Sequence, residues 1–233
     1  MGALAAADAS MSGAAICFMF AGYVATFSLF YSHFCKVKKM NEDGEVGETK
    51  IVPFYFVLLS CLIWIAYAVV DIKADWAVFI LNALGVVVMV YCIWSFARLD
   101  QTIRLYAFIF VPAEGLGVVI LAIAVYFSFD TVNDKNMWLG VIGGIAGTVM
   151  YIVSMATDTR TLLQRQEAVG QGMRGVLQEL QLLFASSANA GSWCMYGVLY
   201  AGNYVAIANG IGLGFCALQF VIYGWIKLGI TAR

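Results

Sequence analysis

Leu62-Ile63-Trp64-Ile65-Ala66-Tyr67, followed by Asn82-Ala83-Leu84-Gly85, returns later in the chain as Trp193-Cys194-Met195-Tyr196, followed by Asn209-Gly210-Ile211-Gly212. Two motifs, Trp-x-x-Tyr and Asn-x-x-Gly, thus recur in the same order, 129 and 127 residues further on. The offset falls by two because the turn between the motifs is shorter in the second copy, residues 201–202 against 71–75. Ordered recurrence of motifs built on uncommon residues marks an internal repeat.

Each motif lies in an apolar run long enough to cross a bilayer, which takes roughly 20 residues. Seven such runs are present, at residues 11–34, 52–70, 76–96, 103–129, 137–156, 177–200 and 204–226. Of the 233 residues, 63% are hydrophobic and 12% charged, about half the charged share of a soluble domain. One soluble core cannot hide that much apolar surface, so the expected solvent is the bilayer. The expected fold is all-α transmembrane, seven helices as two three-helix bundles joined by a linker helix (3+1+3). The first repeat covers residues 11–96, the linker helix 97–130, the second repeat 137–226, and a short cytosolic tail 227–233. Two odd-numbered units laid end to end would face opposite ways. The extra crossing by helix four lets the second insert in the same direction, giving parallel halves related by an axis along the membrane normal.

Lys and Arg set the orientation. With the N-terminus outside, the inner segments hold Lys36, Lys38, Lys39, Lys50, Arg98, Arg104, Arg160, Arg165, Arg174, Lys227 and Arg233, and the outer ones only Lys73 and Lys135. The expected topology is N-out, C-in. Trp76, Trp138, Tyr200 and Tyr204 then fall at outer boundaries, as an aromatic belt requires.

The repeat also locates a candidate site. At about 1.5 Å per residue, Asn82 and Asn209 lie at one depth, roughly 10 Å below the outer ends of helices three and seven. Trp64 and Trp193 reach the same layer from helices two and six. A membrane Asn either bridges helices or faces a wet cavity, because an unpaired amide in lipid is costly. A symmetry-related Asn pair beside a symmetry-related Trp pair favours the cavity. Amides supply donors and an acceptor, and an indole supplies a flat apolar face and one N–H. No charged residue falls in this layer, so the fitting ligand is a neutral, polyhydroxylated small molecule.

Other classes are set aside. A net charge of −1 offers nothing to nucleic acid. The six cysteines show no disulfide spacing, and His33 is the single histidine, with no metal cluster around it. No cofactor, paired carboxylates or Ser/His/Asp set is readable, so no enzyme is expected. Residues 1–11 lack Lys and Arg and read as the start of a retained first helix. Gly170-Gln171-Gly172-Met173-Arg174-Gly175 matches G-x-G-x-x-G, but in a loop between membrane helices rather than after a strand. Glu114, near Pro112 on helix four, is a functional candidate as an intramembrane carboxylate; pairing with a neighbouring helix is the plainer reading. Gly140, Gly143, Gly144 and Gly147, with Gly210, Gly212 and Gly214, read as close-packing faces and leave a homo-oligomer open.

At these residues the chain resembles the SWEET (MtN3/saliva) sugar transporters. The resemblance runs through Pro53-Phe54-Tyr55, the Trp64 and Asn82 strings, Met150-Tyr151, Trp193-Cys194-Met195-Tyr196-Gly197 and Val205-Ala206-Ile207-Ala208-Asn209-Gly210. It implies a bidirectional, energy-independent sugar uniporter working by alternating access. Asn82 and Asn209 would bind sugar hydroxyls, Trp193 and Trp64 would line the pocket, and Tyr67 would belong to the outer gate. The family has a proline in each of helices one, two, five and six as a hinge. Here Pro53 is present, while Tyr23, Ser154 and Glu179 stand at the matching positions. Two large indoles on one cavity favour a monosaccharide over a disaccharide. The membrane expected first is the plasma membrane, with an endomembrane as the alternative. The alternative functions are a PQ-loop-type seven-helix receptor, against which Phe54 rather than Gln follows Pro53, and a proton-coupled carrier using Glu114.

Overall fold

A computed structural model describes residues 11–47, 49–167 and 173–231, with side chains described for all of these except 161–179 and 226–231. The described residues form seven helices: α1 (Gly13–Asp43), α2 (Val52–Val70), α3 (Ile72–Leu99), α4 (Gln101–Ser128), α5 (Val132–Glu167), α6 (Met173–Tyr196) and α7 (Asn203–Thr231). Six of them, all but α6, are long and apolar enough among the described residues to cross a membrane. Side chains of α6 are described only over residues 180–196, a shorter stretch than in the other helices, and it carries Ser186, Ser187, Asn189 and Ser192.

Helix ends follow local chemistry. Ser12 caps α1, its hydroxyl accepting from the Ala15 amide, and Gly44 ends it at φ 74°, a left-handed conformation that glycine adopts without steric cost. Asp100 accepts from the amides of Thr102 and Ile103 and starts α4. Pro53 sits in the first turn of α2, where its missing N–H costs no intrahelical bond. It therefore starts α2 rather than bending it. Pro112 does lie inside α4.

Two helices outrun the apolar stretches that announced them. α1 continues through the polar segment 36–43, which hydropathy assigns to a loop, and α5 continues past residue 156 to Glu167. Hydropathy reports the length bathed in lipid, whereas a backbone goes on being helical into water while nothing breaks it. The second copy of the inter-motif turn also differs: α6 runs into a π-helical turn at Gly197–Ala201, closed by Gly202 at φ 94°.

In each triplet the third helix packs between the first and second. α3 contacts α1 and α2, and α7 contacts α5 and α6. The triplets meet along two seams, α2 on α5 and α1 on α6, so six helices form a ring in the order α1–α3–α2–α5–α7–α6. α4 lies outside the ring, against α3 and α2 and more lightly α5.

Glycines set how closely these helices approach. A Cβ on Gly85 would stand 2.6 Å from Cys61 Sγ and 3.1 Å from Phe30; one on Gly212 would run into the Tyr151 ring. Gly85 and Gly212 are the repeat partners, so Phe30 and Tyr151 are partners too, which aligns α1 with α5 at an offset of 121 residues.

Candidate functional site

The ring encloses a cavity of about 1150 Å³, at the large end of the roughly 300–1,000 Å³ usual for small-ligand sites. Its mouth is framed by Lys36, Lys39, Asp43, Glu45 and Lys50, where α1 passes into α2. Its far end stops at Trp64, Trp193, Val78 and Val205. Beyond that, Ala15, Met19, Tyr67, Ala68, Leu139 and Tyr196 are buried in one cluster that closes the ring.

Asn82, Asn209, Trp64 and Trp193 all line this cavity. Each Asn donates from Nδ2 to the carbonyl four residues back, Val78 at 2.8 Å and Val205 at 2.9 Å. The two acceptors are themselves repeat partners. That bond pins each amide to its helix and leaves its oxygen and second N–H uncommitted among the described residues.

Each indole rests on a glycine of the opposite triplet. A Cβ on Gly143 of α5 would come 3.2 Å from Trp64 Cε2, and one on Gly22 of α1 would come 2.8 Å from Trp193 Cε2. Gly22 and Gly143 are 121 residues apart, the offset already given by Phe30 and Tyr151. The two seams are therefore built alike: an indole from the second helix of one triplet lies on a glycine of the first helix of the other.

The remaining candidates separate by level. Tyr67 and Tyr196 stand edge-on to Trp64 and Trp193, with centroids 5.3 and 5.4 Å apart, in the closing cluster. Tyr67 Oη reaches the Ala201 carbonyl across the triplets at 3.4 Å, while Tyr196 Oη is buried without a partner among the described residues. Tyr23 belongs at this end too. It packs edge-on to Trp193 and donates to the Ala77 carbonyl at 2.9 Å. Pro53 and Ser154 line the cavity on the mouth side. At the α1/α5 offset Ser154 pairs with His33, and Tyr23 with Gly144. Tyr23 and Ser154 are thus not counterparts, and the structure does not bring Tyr23 together with the mouth-side pair. The side chain of Glu179 and the segment 170–172 of the G-x-G-x-x-G string lie outside the described residues. Glu114 is not in the lining; its Oε2 is buried near Tyr55 of α2, and among the described residues neither that oxygen nor the Tyr55 hydroxyl has a hydrogen-bond partner.

Among the polar lining residues that the sequence reading did not assign to the site are Thr26, Ser60, Tyr151 and Asn189. Two were readable. A small polar residue stands four before each tryptophan, Ser60 before Trp64 and Asn189 before Trp193, one helical turn away on the same face. Thr26 carried no repeat signal, because its partner at the α1/α5 offset is Gly147, which has no side chain.

Known proteins agree with this architecture. The sequence pattern of the family described as sugar efflux transporters for intercellular exchange (MtN3/saliva) matches residues 17–104 and 171–228. The bidirectional sugar transporter SWEET7 of Arabidopsis thaliana is 25% identical over 210 residues, covering 84% of this chain and 74% of that protein. SWEET7b of Oryza sativa subsp. indica is 22% identical over 209 residues, covering 87% and 74%. The sugar transporter SWEET1 of Caenorhabditis elegans is 25% identical over 203 residues, covering 85% and 61%. A solved structure of a eukaryotic SWEET transporter superposes with a TM-score of 0.75 at 20% identity, covering 92% of this chain and 97% of that one. A ring of two like triplets with one linker helix, matched in sequence and in fold, makes this chain an integral membrane protein of the SWEET (MtN3/saliva) family, a family of transporters rather than enzymes.

Proposed function

We propose that the protein is a bidirectional sugar facilitator that moves a neutral sugar through the central cavity by alternating access. The observation carrying this reading is the double pair at the cavity's blind end: two amides and two indoles, each related by the repeat, on one lining. Asn82 and Asn209 bind ring hydroxyls with the amide groups their helix bonds leave over. Trp64 and Trp193 offer apolar faces to the C–H surfaces of the ring. The charged lining residues Lys36, Lys39, Asp43, Glu45, Lys50 and Asp158 lie away from the Asn and Trp pairs, so a neutral solute meets no buried charge where it binds. The space between two indoles fits a monosaccharide better than a disaccharide.

A cavity blind at one end is the shape that alternating access needs. With the N-terminus outside, the lysine-rich mouth faces the cytoplasm, and Tyr67, Tyr196 and Tyr23 close the outer side. Residues 11–96 and 137–226 serve as the two rocking units. Glu114 lies outside the lining, so proton coupling is no part of this reading.

Counterflow of labelled glucose into proteoliposomes tests it. Exchange is expected without any ion gradient. Asn209→Ala removes one sugar-binding amide, worth about 1–2 kcal/mol, and is expected to slow exchange about tenfold. Exchange at the wild-type rate in that variant sinks the site assignment. Failure across a panel of hexoses, pentoses and disaccharides sinks sugar as the substrate.

A further inference from the structure

The two indoles sit alike but are held differently. Trp193 Nε1–H donates to Thr26 Oγ1 at 3.2 Å, across the α1–α6 seam, and both side chains are buried. Thr26 is itself anchored. Its hydroxyl is 2.8 Å from the Gly22 carbonyl and in short contact with Asn189 Oδ1, so its single proton serves one of these acceptors at a time. Its lone pairs remain for the indole. On the α2–α5 seam the equivalents are Gly147, which has no side chain, and Ser60, which has no hydrogen-bond partner among the described residues. Trp64 Nε1–H likewise has none there.

We propose that Thr26 is a positioning residue. Its hydroxyl locks the indole of Trp193 onto α1, so that Trp193 presents only its face to the substrate while Trp64 keeps its N–H to donate. The proposal rests on the sugar-transport reading for its effect on binding, but the hydrogen bond stands apart from that reading. An indole with its N–H satisfied by an anchored acceptor is held at one ring angle, and a stacking platform fixed in advance spares the substrate the cost of ordering it. Without the hydroxyl, the buried N–H is left unpaired and the ring turns to find a new acceptor.

Thr26→Val keeps the side-chain shape and removes the hydroxyl; Thr26→Ser keeps the hydroxyl. The protein, labelled with 5-fluorotryptophan and held in lipid nanodiscs without sugar, gives one fluorine signal for each of its six tryptophans. The signal absent from Trp193→Phe belongs to Trp193. Thr26→Val is expected to shift and broaden that signal and spare the other five, and Thr26→Ser is expected to restore it. In uptake, Thr26→Val is expected to raise the half-saturating sugar concentration about three- to tenfold, the equivalent of one hydrogen bond, with the maximal rate little changed. Combined with Trp193→Phe, it is expected to add nothing further.

A Trp193 signal that stays in place in Thr26→Val overturns the proposal. So does a loss of affinity as large in the Trp193→Phe background as in wild type, which would make Thr26 a direct contact of the sugar. Because the spectra are recorded without sugar, a protein that transports none of the sugars overturns the transport reading, while the fluorine signals still decide whether the hydrogen bond holds the ring.

Discussion

The α2–α5 seam and the α1–α6 seam are the same joint made twice, and they differ in what lies on it. Both seat an indole on a glycine, Trp64 on Gly143 and Trp193 on Gly22. Among the described residues only the second carries a polar relay, Trp193 to Thr26 with Asn189 beside it. The backbone register of the repeat is tied down by close glycine contacts, where an added Cβ would come within 3.2 Å of its neighbour. The polar side chains around it are free to diverge, because a hydroxyl added or removed at a cavity wall changes no helix spacing. Duplication thus preserves position and releases chemistry.

The sharpest way to break the comparison is at the closed end. Gly197 of the π turn packs against the backbone of Ala206, with no flexible side chain to yield, while its partner in the first half, Ala68, already holds a methyl group and is fully buried. Gly197→Ala is therefore expected to abolish folded protein, seen as loss of the monodisperse peak in detergent chromatography. Ala68→Gly is expected to cost only about 1 kcal/mol, a few degrees in a thermal shift. Equal effects would mean that the closing turns of the two halves are interchangeable.

The amides should behave as a matched pair. Asn82→Ala and Asn209→Ala are each expected to slow exchange about tenfold, the worth of a hydrogen bond or two. A difference between them of more than an order of magnitude would show that sugar binds off the axis. The indoles should not match. Trp64→Phe is expected to raise the half-saturating concentration several-fold, because its N–H has no partner among the described residues and is left to donate to the sugar. Trp193→Phe is expected to lower thermal stability by about 1 kcal/mol as the Thr26 bond is lost. Tyr23→Phe, which removes the 2.9 Å bond to the Ala77 carbonyl, is expected to cost about 1 kcal/mol with transport close to wild type. Smallest of all, Glu114→Gln is expected to leave flux within about a factor of two at any pH gradient, since α4 stands outside the ring. A steep pH dependence that disappears in this variant would restore the proton-coupled reading.

The seven helices and their 3+1+3 arrangement were legible because two signals agree: apolar length and a repeat carried by rare residues. Trp64, Trp193, Asn82 and Asn209 were placed on one lining by the repeat alone, since a fixed offset and a fixed rise give a common depth. Helix one resisted the same treatment. Its match to helix five is mostly a matter of shape, Gly22 for Gly143 and Phe30 for Tyr151, with only a short Gly-x-x-Ala, Gly22 to Ala25 and Gly143 to Ala146, in common. Assigning a hinge position to Tyr23 from the family pattern put it at a different level from Ser154, and the 121-residue offset became visible only through contacts. The π turn at Gly197–Ala201 had no hydropathic signature either, because an added residue in a helical turn changes the backbone bonding and not the composition.

The linker helix makes the chain divisible. α4 leans on α2 and α3 and only lightly on α5, and residues 129–131 link it to α5. The chain should accordingly tolerate being encoded as two polypeptides cut at that link, a four-helix piece and a three-helix piece. Co-expressed, they would find each other through the glycine seats of the two seams, and a reporter fused across the cut would read out their assembly.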